Sequence, residues 1–114
     1  MQHFEGDLDT RRAVWCALQD LWMDTDPEPL WPGIVRVCAD SRFSLDELER
    51  IFWDEVRPAL AGQLRGPAPE WRGLTADELE ERIRTHARPT PRLLRFGPDR
   101  ALWRRLRSAV RAAR

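Results

Sequence analysis

The 114-residue sequence contains no lysine, asparagine or tyrosine, so all 19 of its basic side chains are arginines. A GC-rich genome would explain this bias, because its codons favour arginine, alanine, glycine and proline. The alternative is selection for the guanidinium group, which binds a carboxylate or phosphate through two parallel hydrogen bonds. In either case, every cation of this chain can hold an oxyanion in a bidentate manner.

Features of membrane and secreted proteins are also missing. No apolar run approaches the roughly 20 residues of a membrane-spanning helix. Residues 1–9 carry three acidic residues and no arginine, unlike the basic start of a signal peptide. Cys16 and Cys38, the two cysteines, form no CxxC pair and lie in apolar helical patterns typical of buried, reduced thiols. We therefore expect a cytoplasmic protein without a membrane span.

Sequence signatures of catalysis and metal binding are absent. There is no GxSxG turn and no glycine-rich phosphate loop. His3, His86 and the two cysteines do not have the spacing of zinc ligands. One helical segment carries five carboxylates, interpreted here as a solvated helix face: Asp46, Glu47, Glu49, Asp54 and Glu55. We expect no enzymatic activity, no metal and no cofactor.

Apolar residues recur at spacings of three and four in five stretches, which predicts helices over 10–23, 32–41, 45–57, 76–86 and 98 to near the C-terminus. Pro58 lacks an N–H group and crowds the carbonyl of Asp54, so the third helix should kink there and then continue. The length favours one domain. The predicted fold is therefore all-α, a compact single-domain bundle of four to five helices.

Two capping boxes mark helix starts. Ser44 and Glu47 have the spacing at which each side chain bonds the other's backbone amide, and Thr75 and Glu78 repeat the pattern.

The six tryptophans divide into two groups. Those at 15, 22, 53 and 103 lie on apolar helical stripes and are predicted to pack in the core. Trp31 and Trp71 are predicted to lie in loops rich in proline and glycine, where a tryptophan is more often exposed or half-buried. An exposed tryptophan is typical of binding hot spots, so both are candidate anchors for a partner, and the alternative is a loop tryptophan without a binding role.

Charge is distributed very unevenly along the chain. Residues 1–81 carry 18 acidic residues and 8 arginines, a balance of −10, whereas residues 82–114 carry 11 arginines and one acidic residue, a balance of +10. We interpret 1–86 as an acidic helical body, and 87–114 as a proline-rich connector and an arginine-rich C-terminal helix packed on it. The alternatives are internal neutralisation of the two parts and an interaction surface on one or both.

Two surfaces are therefore candidates for binding. The first is acidic with tryptophan anchors: Asp24, Asp26, Glu28, Trp31, Glu70 and Trp71. The carboxylates at 24, 26 and 28 lack the twelve-residue ligand pattern of an EF-hand, and a solvated loop is the alternative to a docking site. The second is a basic face of the C-terminal helix: Arg100, Arg104, Arg107 and Arg111. Its spacing would suit phosphates, but the acidic body would repel a polyanion, so we do not expect nucleic acid as the main partner.

Three segments in order resemble a small bacterial family of helical proteins of unknown function. They are Arg12-Ala13-Val14-Trp15-Cys16-Ala17-Leu18 through Asp24-Thr25, Glu55-Val56-Arg57-Pro58-Ala59-Leu60, and Glu70-Trp71-Arg72-Gly73-Leu74. The resemblance spans residues 12 to about 83 and brings no catalytic residues with it. Such short helical proteins are similar to immunity proteins that neutralise antibacterial toxins. The resemblance therefore implies a non-enzymatic module whose partner is a toxin domain. The alternative is a nucleic-acid-associated or regulatory protein acting through the basic helix.

Overall fold

The computed structural model describes residues 7–23, 28–65 and 74–114. These ranges contain the helices α1 (Leu8–Met23), α2 (Trp31–Asp40), α3 (Leu45–Arg50), α4 (Arg57–Arg65), α5 (Ala76–His86) and α6 (Pro98–Ala113). A π-helical segment, Ile51–Val56, joins α3 to α4, and short 3₁₀ turns cover Glu28–Leu30 and Arg92–Leu94. The described residues form no strand, so the predicted all-α single domain is confirmed. No helix in these ranges is both long enough and apolar enough to cross a bilayer.

Both predicted capping boxes are present. At the start of α3, Ser44 Oγ accepts from the amide of Glu47 at 3.0 Å, and the Ser44 amide donates to Glu47 Oε1 at 3.2 Å. Thr75 and Glu78 make the same reciprocal pair at the start of α5. These bonds satisfy amides that have no partner within the helix, which is why local sequence alone predicts where these helices begin.

The helices enclose one apolar core with Phe52 near its centre. The Phe52 ring lies 4.9 Å from the ring of Trp22, 5.1 Å from Trp53 and 5.5 Å from Trp103, measured between centroids. Trp15, Trp53 and Trp103 are buried and Trp22 is half-buried. The prediction that these four tryptophans pack in the core is confirmed.

The turn before Pro58, where the sequence predicts a kink, adopts π geometry. The amide of Arg57 donates to the carbonyl of Phe52, five residues earlier, so the carbonyl of Trp53 loses its usual α-helical donor. Pro58 has no N–H to offer the carbonyl of Asp54. Two backbone acceptors are therefore left on one side of the helix.

The connector, residues 87–97, supplies the missing donors. The amide of Arg88 donates to Asp54 O at 2.9 Å, and Thr90 Oγ1 donates to Trp53 O at 2.8 Å. The Thr90 amide also donates to Asp54 Oδ1 at 2.7 Å. The connector is thereby held against the middle of the long helix that α3, the π-helical segment and α4 form together.

α6 packs on α2 and α3 through the buried side chains of Trp103, Leu106 and Val110. Asp99, the one acidic residue of the basic tail, lies in the first turn of α6. It accepts from Arg57 Nε at 2.7 Å and from Trp22 Nε1 at 3.1 Å, so it ties the start of α6 to α4 and α1.

One of the five carboxylates predicted to lie on a solvated helix face departs from the prediction. Glu55 was interpreted as part of a solvated face, but its side chain is buried and accepts from Arg11 and Trp15. It lies three residues after Phe52 and seven after Leu48, on the apolar stripe rather than outside it.

Candidate functional site

The acidic surface predicted from the sequence is only partly described. Asp24, Asp26, Glu70 and Trp71 lie outside the described residues, and their role in binding stays a prediction. Glu28 and Trp31 are described, and both contact α6.

A single arginine of α6 contacts both of these residues. Arg105 forms a two-pronged ion pair with Glu28, with Nη1–Oε1 at 2.7 Å and Nη2–Oε2 at 2.9 Å. This bond holds the pKa of Glu28 below its ordinary value and raises that of Arg105. The Arg105 guanidinium also lies over the Trp31 ring, 3.9 Å from its centroid. Two side chains predicted to meet a partner are therefore engaged within the chain.

The placement of Trp31 in a loop is wrong. Trp31 is the first residue of α2, and its half-buried ring packs against the core. The helix begins one residue earlier than expected because Pro32 is tolerated in a first turn, where its missing N–H would have no partner in any case.

Four further arginines of α6 share another face of the helix. Arg100, Arg104, Arg107 and Arg111 are all exposed, and we call them the arginine face. Within the ranges that the structure describes, none of the four forms an ion pair. Neutralisation by the acidic body thus reaches Arg95 and Arg105 but does not extend to this face.

A surface cleft of about 390 Å³ opens between α3, the connector and α6. Its lining combines five arginines, two carboxylates and two tryptophans: Arg92, Arg95, Arg100, Arg104, Arg107, Asp46, Glu49, Trp53 and Trp103. We call it the arginine cleft. Three members of the arginine face line it, whereas Arg111 does not.

Arg95 is the least exposed of the five arginines that line the arginine cleft, so we place it at the base of the cleft. Its Nε donates to the carbonyl of Thr90 at 2.8 Å, and its Nη1 lies 3.0 Å from Glu49 Oε2. Its Nη2 lies 3.7 Å from Asp54 Oδ1, and its guanidinium is 6.0 Å from the centroid of the Trp53 ring. These contacts join the connector to the long helix on the cleft side.

Three large apolar side chains project from the connector beside the cleft. Leu93 is 92% exposed, Leu94 56% and Phe96 64%, and we call them the apolar ridge. None of the three lines the arginine cleft. The sequence showed these residues only as apolar positions between prolines. Their exposure does not follow from helical periodicity, because it depends on the path of the connector.

The described residues offer little for metal binding or nucleophilic catalysis. They contain no group of three or more histidine, cysteine or acidic side chains placed to hold a metal ion. Burial raises the pKa of the Cys38 thiol to about 12 and also raises that of Cys16. Both thiols are therefore protonated near neutral pH, the unreactive form.

Comparison with known proteins identifies a family without a known activity. No curated protein and no solved structure matches the chain. A family model described as a domain of unknown function, DUF7079, matches residues 9–113, and this match includes α6 and the arginine face. The chain therefore belongs to the DUF7079 family.

Proposed function

We propose that this protein is a non-enzymatic module that binds an acidic protein partner through the apolar ridge and the arginine face. The observation that carries the proposal is the exposure of Leu93, Leu94 and Phe96 beside arginines that no described carboxylate neutralises. Apolar side chains clustered at a surface mark interaction sites, and aromatic residues and arginine are enriched at protein interfaces.

The anchoring of the connector supports a role in recognition. Arg88 and Thr90 bind the connector to the long helix before the ridge, and Arg95, between Leu94 and Phe96, binds Glu49 of α3. A ridge held in this way loses little conformational entropy on binding, which leaves more of the contact energy for affinity.

Charge supports an acidic partner. The arginine face presents four cations on one side of α6, and complementary potential steers association and disfavours partners of like charge. In the finer form of the proposal, the partner is a toxin domain and this protein is its immunity protein in the cytoplasm of a bacterium. The support for that form is the resemblance to small helical immunity proteins.

Nucleic acid is the second candidate partner, and the exposed arginine face is the observation that favours it. Two features disfavour it. Asp46 and Glu49 line the cleft beside the arginines, and the apolar ridge has no counterpart in a phosphate backbone. Binding to duplex DNA should therefore stay weak at physiological salt.

The test is co-expression of this protein with the toxin domain encoded beside its gene, with growth as the readout. Leu93→Ala and Phe96→Ala together should abolish protection, mainly through faster dissociation, because truncated hot-spot residues each cost about 2 kcal/mol or more of binding energy. Arg104→Glu with Arg107→Glu should slow association. Arg50→Glu, an exposed arginine of α3, is the matched control and should protect fully.

Thermal melts of all variants distinguish loss of binding from loss of folding. The side chains changed in the ridge, arginine and control variants are exposed, so these variants should melt like the unaltered chain. Full protection by the ridge and arginine variants would contradict the proposed surface. Protection could instead be lost only when Asp24, Asp26 and Glu28 are all changed to arginine. That result would indicate that the loop carrying these three residues is the interface. A gene neighbourhood without a toxin domain would contradict the immunity assignment, and submicromolar DNA binding with a steep salt dependence would favour the second candidate.

A further inference from the structure

We infer that the arginine cleft is a binding site for a small ligand carrying a phosphate or diphosphate group. This goes beyond the proposed function. The cleft shares Arg100, Arg104 and Arg107 with the proposed protein interface, but the apolar ridge does not line it. The inference combines the size of the cleft, its charge and the rigidity of its base.

The cleft holds more positive charge than its own carboxylates balance. Glu49 is engaged by Arg95, at 3.0 Å. Within the described ranges, Arg92, Arg100, Arg104 and Arg107 have no carboxylate partner. Arg100 and Arg104 are four residues apart and Arg104 and Arg107 three, so successive guanidinium groups rise from neighbouring positions of one helix face. A multiply charged anion between them replaces their mutual repulsion with attraction.

The base of the cleft is built before any ligand arrives. Arg95 is held by the Thr90 carbonyl on the connector and by Glu49 on α3. Trp53 and Trp103, the aromatic lining residues, are 1% and 4% exposed and belong to the core. A ligand therefore meets a fixed base and has to order only the long side chains at the mouth.

Size and chemistry select a phosphate-bearing small molecule. A volume of about 390 Å³ falls in the range of small-molecule sites, about 300–1,000 Å³. Guanidinium forks match phosphate oxygens in pairs, and a diphosphate has enough oxygens for several arginines at once. Asp46 adds an acceptor at the lining for a hydroxyl or amino group of the ligand's remaining part.

The charge pattern also distinguishes such a ligand from a nucleic-acid strand. A strand following the arginine face would use Arg111 as well as Arg104, because both are exposed on the same face. A ligand seated in the cleft would use Arg104 and leave Arg111, which is outside the cleft, without a role.

The experiment is isothermal titration calorimetry of the full chain with inorganic phosphate and with pyrophosphate at constant ionic strength. Pyrophosphate should bind saturably and more tightly than phosphate, because it carries more charge. Arg104→Gln should weaken pyrophosphate binding about tenfold or more, in keeping with the loss of charge-assisted hydrogen bonds. Arg111→Gln is the matched control and should change the affinity by less than about twofold.

Two results would overturn the inference. The first is a pyrophosphate affinity weaker than about 1 mM for the unaltered chain. The second is an equal loss in Arg104→Gln and Arg111→Gln, which would indicate diffuse attraction along α6. If duplex DNA binds and its affinity depends equally on Arg104 and Arg111, the inference fails. The arginine face would then bind a nucleic-acid strand that follows α6. The partner test remains distinguishable through Leu93 and Phe96, which do not line the cleft, whereas its Arg104→Glu variant changes a residue that both proposals use.

Discussion

At the scale of single residues, Glu55 shows how a buried charge is accommodated. Its carboxylate accepts from Arg11 Nη1 at 2.9 and 3.2 Å and from Trp15 Nε1 at 2.7 Å. Arg11 also bonds Asp7 at 3.3 Å and lies 5.0 Å from the centroid of the Phe43 ring. Both charges are therefore paired and hydrogen-bonded, the condition under which burial of an ion pair is tolerated.

Removal of one partner of this pair should be costly. We expect Glu55→Leu to lower the free energy of unfolding by about 3–5 kcal/mol, because Arg11 would be left buried without its main counter-charge. Arg11→Met should cost a similar amount. The double variant should cost clearly less than the two single changes together, since no uncompensated charge remains. Chemical denaturation of the four proteins gives the coupling energy, and simple additivity would contradict this view of the pair.

The sequence contained part of this residue-scale information. The spacing of Glu55 from Leu48 and Phe52 places it on the apolar stripe, so its burial could have been predicted. Its partner Arg11 could not, because the two residues are 44 positions apart and nothing local relates them. For the same reason, the pairing of Arg105 with Glu28 and Trp31 could not be predicted, although Glu28 and Trp31 are both candidate binding residues in the sequence.

At the scale of elements, the connector depends on an irregularity in the long helix. The π geometry at Ile51–Val56 and the missing N–H of Pro58 leave the carbonyls of Trp53 and Asp54 for donors from the connector. Sequence reasoning identified the crowded Asp54 carbonyl. It did not identify Arg88 as the donor, because that contact closes a loop of more than thirty residues.

A hydroxyl deletion tests this anchor. Thr90→Val keeps the side-chain shape but removes the donor to Trp53 O, leaving a buried carbonyl without a partner. We expect a loss of about 1–3 kcal/mol in the free energy of unfolding. Thr85→Val is the matched control, since Thr85 Oγ1 donates to Glu81 O on an exposed part of α5, and its cost should stay within about 0.5 kcal/mol. Equal effects of the two variants would show that the connector is not anchored through this bond.

At the scale of the whole molecule, acidic and basic residues are concentrated in different parts of the sequence, and the fold pairs only some of them. Arg105 meets Glu28, Arg95 meets Glu49, and Arg57 meets Asp99, while the arginine face remains open to solvent. Periodicity was sufficient to predict that α6 has an apolar side, and the core accordingly contains Trp103. It could not show which arginines the body would cover, because that depends on how the helices pack.

One core implies one cooperative transition. Trp103→Ala should destabilise the whole chain by about 3–5 kcal/mol, the usual cost of deleting a large aromatic side chain from a core. Circular dichroism and tryptophan fluorescence should report the same midpoint, as expected for two-state unfolding. Leu93→Ala, at a position that is 92% exposed, is the control and should change stability by no more than about 0.5 kcal/mol. Separate midpoints for the two probes would indicate that α6 detaches before the rest unfolds.

The anchoring of the connector also bears on how this chain can change length during evolution. Surface connections usually accept insertions easily, but Arg88 and Thr90 must stay two residues apart to reach adjacent carbonyls of the long helix. An insertion between them would release one anchor and shift the ridge relative to the cleft. Beyond Arg95, the exposed residues Phe96 and Gly97 precede α6 without such a bond. Among descendants of this sequence, insertions should therefore be tolerated between Phe96 and α6. Insertions between Arg88 and Thr90 should be removed by selection.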